Sequence, residues 1–164
     1  MMQLNAKETT ITKSPLKIVK FVDGDGIILE DIISKIEFEV RLYGIDAPEI
    51  NYCSKIKKDE IELQVPAALL IKLGYLSFNF LKDQVNLGDV CTLVQEQNNL
   101  VDKYGRLLGY LILKDGRVLN EIMIREGYAK PYNDAFCEML PMYQEWNLQA
   151  KNSSKGLYSL VNKF

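Results

Sequence analysis

The sequence predicts a small β-barrel of α+β class, five short strands of OB type with about three helices set between and after them. Three observations carry this expectation. Residues 36–43 alternate strictly between apolar and polar side chains, the period of a half-buried strand. Asp23-Gly24-Asp25-Gly26 and Asp115-Gly116 each interrupt short apolar runs, as turns between strands do. A long apolar stretch, residues 67–85, opens behind Pro66, a residue suited to the first turn of a helix.

Taken in order, residues 1–15 are polar and read as a flexible arm, and residues 16–160 as one domain. Residues 16–22 form a strand that Asp23-Gly24-Asp25-Gly26 breaks, its glycines allowing a bulge or tight turn. Extended structure resumes over 27–30 and turns near 31–35. In the alternating run, Ile36, Phe38, Val40 and Leu42 face a core, while Glu37, Glu39, Arg41 and Tyr43 face away. Arg41 thus stands on the polar face of a strand, a rigid platform for a charge. Pro48 bars a continuing central strand, so residues 46–49 are a loop. Residues 51–64 are polar and predict a mobile loop, and residues 67–85 the first helix. A strand over 88–95, a loop over 98–106 and a hairpin of 107–113 with 117–118 complete the barrel. Residues 120–126 form a short helix with Gly127 as its C′ residue. The last helix spans 141–151, with Tyr143 and Trp146 assigned to the core.

Composition excludes more than it proves. At 164 residues, 48% hydrophobic, the chain has the size and make-up of one globular domain. It contains no histidine, which removes Ser-His-Asp hydrolysis, histidine-nucleophile phosphodiesterases, paired-histidine ribonucleases and most catalytic zinc sites. The three cysteines, Cys53, Cys91 and Cys137, show no CxxC pairing, and their odd number argues against a disulfide framework. No apolar run is long enough to span a bilayer, and the first residues lack the apolar stretch of a signal peptide. Either the protein stays in the cytoplasm or a targeting segment has been removed. A net charge of −2 argues against bulk electrostatic coating of nucleic acid. Its distribution is uneven: residues 21–64 hold eleven acids against five bases, residues 100–132 six bases against four acids. A cation suits the first region and a phosphate backbone the second, although both are also what solvated faces look like.

Five charged residues on three segments carry the chemistry. Asp25 lies in the first turn; Arg41, Asp46 and Glu49 lie in Arg41-Leu42-Tyr43-Gly44-Ile45-Asp46-Ala47-Pro48-Glu49; Arg106 ends Asp102-Lys103-Tyr104-Gly105-Arg106. Carboxylates hold a hard cation through oxygen, and guanidinium forks match a phosphate. That pairing is what metal-assisted phosphodiester cleavage needs. Singly, each has a plain structural reading: a turn aspartate, a surface arginine paired with Glu39 or Glu37, a loop-capping Asp46, a solvated Glu49, an Arg106 serving a turn carbonyl. Tyr104 and Tyr132 divide between base stacking and packing. Jointly, the pattern favours a site.

The three segments, in this order and with a helix between the second and third, resemble the staphylococcal nuclease family. Val118-Leu119-Asn120-Glu121, Arg125-Glu126-Gly127-Tyr128-Ala129-Lys130 and Gln149-Ala150-Lys151 through Gly156-Leu157-Tyr158 extend the resemblance over residues 16–160. The resemblance implies a five-stranded OB-type barrel with three helices that cleaves DNA and RNA with Ca²⁺ and leaves 3′-phosphate ends. It also implies that Asp25, Asp46 and the main-chain carbonyl of Ala47 are calcium ligands, and that Glu49 activates or orients the attacking water. Arg41 and Arg106 would clamp the scissile phosphate, and Lys103, Tyr104 and Tyr132 would line the nucleotide subsite. The expected partner is a DNA or RNA substrate, handled by a monomer. Two departures stand out: Gly26 where the family usually has threonine, and a slightly acidic chain where its best-known member is strongly basic. The alternative is a barrel of the same kind that binds nucleic acid or protein without cutting, since fold alone does not fix function.

Overall fold

The protein is described here over residues 10–164 of a computed structural model. Five strands, β1 (Thr10–Phe21), β2 (Gly26–Asp31), β3 (Glu37–Leu42), β5 (Val90–Glu96) and β6 (Leu107–Leu113), close into a barrel in the order β1-β2-β3-β6-β5. All pairings are antiparallel except β3 with β6, which run parallel. Two short strands, β4 (Ile45–Asp46) and β7 (Lys130–Pro131), pair outside the barrel. The helices are α1 (Ser54–Leu63), α2 (Ala67–Gln84), α3 (Leu119–Arg125) and α4 (Leu140–Asn152), followed by a 3₁₀ turn at Gly156–Ser159.

β1 begins at Thr10, earlier than the strand expected at residue 16, so residues 10–15 are ladder rather than arm; residues 1–9 lie outside the described residues. This strand serves two neighbours. Its register slips between Ile18 and Lys20 against β2 and between Lys13 and Leu16 against β5, where Pro15 offers no N–H. The bends let one strand close the cylinder.

The barrel interior is filled by Leu16, Ile18, Ile27, Leu29, Val40, Leu42, Leu93, Leu111 and their neighbours, all nearly without solvent contact. A second cluster, Ile56, Leu70, Leu73, Ala150, Leu157, Tyr158 and Phe164, joins α1, α2 and the C-terminal segment. Tyr143 and Trp146 are buried in the main core, as expected.

Three local expectations fail. Residues 51–64 are not an irregular loop: α1 occupies Ser54–Leu63, because Ile56 finds a buried seat against Leu70 and Leu73. Ile36 is 64% exposed, since the strand starts only at Glu37. Tyr43 points inward, not away: β3 ends at Leu42, Gly44 takes a positive φ of 71°, and the Tyr43 hydroxyl donates to the Asn99 carbonyl while accepting from Glu96 N–H at 3.0 Å. No single helix among the described residues is long and apolar enough to cross a membrane.

Candidate active site

Arg41 sits directly across the β2–β3 ladder from Gly26, where a Cβ would meet Asp23 Oδ1 at 3.0 Å. The next residue, Leu42, donates its N–H to the Asp25 carbonyl at 2.9 Å, so the turn carrying Asp25 is tied to the strand carrying Arg41. Arg41 NH1 donates to the Ile45 carbonyl at 2.7 Å and lies 3.3 Å from Asp25 Oδ2; NH2 lies 3.5 Å from Asp46 Oδ1. Its guanidinium carbon stands 5.4 Å from the centre of the Tyr132 ring. One buried guanidinium therefore joins both predicted metal-binding carboxylates and one predicted subsite tyrosine.

The electrostatics follow from burial. Burial pushes the Asp25 carboxyl up to about 7, Arg41 pulls against it, Asp23 and Asp46 add to it, and the Ala47 N–H donated to Asp25 Oδ2 at 2.8 Å opposes it. Burial works against the charge on Arg41 as well, but Asp25, Asp46 and Asp23 outweigh it and hold the guanidinium firmly protonated.

Asp46 ends β4, and Pro48 turns the chain so that Glu49 reaches the same cleft. Between them stands a residue that the sequence reading did not select. Lys55 Nζ lies 2.8 Å from Asp46 Oδ1 and 3.1 Å from Glu49 Oε1. Burial tends to discharge this ammonium, yet Asp46 and Glu49 raise its pKa well above the ordinary lysine value. Its place in the first turn of α1 gave no signal in the sequence, because that stretch reads as a loop.

A second missed contribution comes from α2. A Cβ on Gly74 would lie 2.2 Å from the Glu49 carbonyl oxygen, and one on Gly24 would lie 2.3 Å from Ser77 Oγ and 2.6 Å from Ala47 Cβ. One turn of α2, Gly74 to Ser77, is therefore pressed against both acidic loops. Ser77 Oγ also donates to the Tyr128 carbonyl at 2.7 Å, which fixes the helix against the chain beyond α3. Small residues three apart on an otherwise apolar helix were the clue.

Arg106 is placed differently. Its Nε donates to Asp102 Oδ2 at 2.8 Å, and NH1 lies 3.8 Å from Glu39 Oε1. Glu39 and Arg41 share a face of β3, so Arg106 stands one step along that face rather than against the carboxylates. Tyr104 is 73% exposed, with the Lys103 ammonium 5.1 Å and the Arg106 guanidinium carbon 5.6 Å from its ring centre. These three form a separate cationic and aromatic lip. Beyond the cleft, a groove of about 230 Å³ is lined by Lys130, Lys151, Lys163, Asn147 and Tyr158 among others, with no acidic side chain among the described residues that line it.

The donor set suits a hard cation. Asp25 and Asp46 offer carboxylate oxygen and Ala47 a carbonyl, the hard donors such an ion takes. The raised pKa of Asp25 marks a buried carboxylate with incomplete positive compensation. No group of three or more acidic, cysteine or histidine side chains forms a metal cage among the described residues. An open shell, completed by water and substrate, is the kind of site these residues fit.

Comparison with known proteins finds relatives of this chain. The profile described as staphylococcal nuclease homologue matches residues 39–160, a span that includes Arg41, Asp46, Glu49 and Arg106 but not Asp25. An uncharacterized endonuclease of Escherichia coli is 31% identical over 87% of this chain and 76% of its own. Endonuclease YhcR of Bacillus subtilis is 29% identical over 85% of this chain, which spans 11% of that longer protein. The uncharacterized protein MJ1439 of Methanocaldococcus jannaschii is 28% identical over 89% of this chain and 72% of its own.

Proposed function

The chain belongs to the staphylococcal nuclease family, and from that membership we propose that it is a calcium-dependent nuclease hydrolysing DNA or RNA to 3′-phosphate products. The observation that carries the reading is the Arg41 guanidinium held within 3.5 Å of both Asp25 and Asp46, with Glu49 and Ala47 on the adjoining loop.

Asp25, Asp46 and the Ala47 carbonyl would hold the ion. Once bound, calcium would polarise the scissile phosphate and offset its charge. The Glu49 carboxylate takes the proton from the attacking water, whose oxygen bonds phosphorus as the bond to the 5′ oxygen breaks and that oxygen takes a proton from solvent. Arg41 donates to the phosphate oxygens on which charge builds, a contribution of about 3 kcal/mol by analogy with oxyanion-hole donors. It is preorganised, because the β2–β3 ladder and the Ile45 carbonyl already fix its position. Arg106 meets the phosphate from the far side of the cleft after exchanging Glu39 for substrate. Tyr104 and Tyr132 stack on bases, with Lys103 beside them.

One observation favours a second reading, a barrel that binds nucleic acid without cutting it: Arg106 is engaged by Asp102 and Glu39 rather than by the cleft. Incubation with single-stranded DNA and calcium, then with a calcium chelator, separates the two. Cleavage abolished by the chelator supports the nuclease; retention of DNA without cleavage in either buffer overturns it.

A further inference from the structure

Lys55 has no part in the roles assigned above, yet it makes the closest ion pairs in the cleft. Its ammonium spans Asp46 and Glu49, the carboxylates given to metal binding and water activation. The lysine is the second residue of α1, and the first turn of that helix holds no acid to offset it. A cation there opposes the helix dipole, so the carboxylates, not the helix, hold it. Its neighbour Ile56 is 1% exposed and anchors the backbone in the second core cluster, whereas the Lys55 side chain is 37% exposed and has a path to solvent. The backbone is fixed, and the ammonium has room to swing toward solvent once its ion pairs are broken.

Charge counting gives the consequence. When all three are ionised, Asp25, Asp46 and Glu49 carry three negative charges, and Arg41 and Lys55 return two. A divalent ion arriving at Asp46 meets a site already largely neutralised, with a like charge on one of its ligand oxygens. We propose that Lys55 is a tethered competitor of the metal: its ammonium occupies the gap between Asp46 and Glu49 and must swing out before a divalent cation binds there. This rests on the calcium reading above and adds a residue that sets how tightly the ion is held. It gives the cleft an internal counter-ion and keeps metal affinity low until metal and substrate arrive together.

The test is calorimetric titration of the full chain with calcium chloride alone, comparing wild type, Lys55→Met, Lys55→Arg and Lys58→Met. Lys58 lies on the same helix but is paired with Glu62 in solvent, so its variant makes the same change in net charge away from the cleft. A displaced ammonium about 8 Å from a divalent ion, at an effective dielectric of about 40–80, corresponds to roughly 5- to 30-fold in affinity. Lys55→Met is expected to bind calcium tighter by about that factor, Lys55→Arg within about threefold of wild type, and Lys58→Met within about twofold. Thermal melts add an independent readout: without calcium, Lys55→Met melts below wild type, and calcium raises its Tm by more than it raises that of wild type. Unchanged or weaker calcium binding by Lys55→Met, with wild type binding measurably, overturns the competitor. No calcium uptake by any of the four proteins overturns the calcium reading, and this inference with it.

Discussion

Gly74→Ala is the sharpest test of how the cleft is held in shape. The added methyl would lie 2.2 Å from the Glu49 carbonyl oxygen, 2.7 Å from its carbon and 2.8 Å from the Pro48 oxygen. All three are backbone atoms, so no side-chain rotation relieves the clash. A relaxed contact needs about 1 Å more, and that displacement must be taken by α2 or by the loop carrying Glu49. Overpacking of this kind costs about 1–3 kcal/mol, while replacing glycine in a helix interior returns about 1 kcal/mol. The net loss is at most about 2 kcal/mol, or roughly 4–8 °C in Tm for a domain of this size. Catalysis is more exposed, since a 1 Å misplacement of a reacting group costs on the order of 100-fold. The expected signature is a stable, folded variant with a large fall in single-turnover cleavage of single-stranded DNA, read beside a calorimetric melt. A raised Tm with an undiminished rate would mean that α2 has slack against the loop, and the reasoning would be wrong.

Other outcomes follow from the same geometry. Arg41→Lys keeps the charge but loses the fork, and kcat should fall about 100-fold with folding intact; a near-normal rate would reduce Arg41 to a surface cation. Arg41→Met leaves Asp25 buried without its counter-charge and Asp46 with Lys55 alone, and should cost about 3 kcal/mol of stability, visible in urea denaturation. Asp46→Asn should weaken calcium binding in a titration, whereas Glu49→Gln should leave it nearly unchanged and lower kcat by about 10²–10⁴-fold; equal losses of affinity would remove the division between ligand and base. Neutralising Lys151 and Lys163 together should flatten the salt dependence of single-stranded DNA binding by roughly one to two phosphate contacts, measured by anisotropy at several ionic strengths; an unchanged slope would remove the groove from the substrate path.

The parts of the site on the barrel were legible because strand periodicity is local. Arg41 could be placed on a polar face from Val40 and Leu42 alone, and Asp25 in a tight turn from its flanking glycines. What escaped depends on partners distant in sequence. Tyr43 breaks the alternation because its hydroxyl meets Asn99 and Glu96 across the core, more than fifty residues away. α1 escaped because its stabilising burial at Ile56 is supplied by Leu70, Leu73 and the C-terminal segment, while Ile61 on the same helix stays 78% exposed and blurs the stripe. The tie from Arg106 to Asp102, four residues before it, is local and of the kind a tight turn carries.

The cleft is assembled from two kinds of scaffold. Arg41 and Asp25 are stitched into the β2–β3 ladder, whereas Glu49 and Lys55 depend on α1, which packs on the smaller, second cluster, and on α2, which spans both clusters. Ladder and helices need not soften at the same temperature, because local opening follows local burial. On heating, the helical wall should loosen while the barrel still holds, so the two acidic loops part before the chain unfolds. Amide exchange would record this as early loss of protection over α1 with β2 and β3 still guarded. The working ceiling of such a protein is then set by its least-buried helix, and stiffening α1 would extend its useful range further than reinforcing the cylinder.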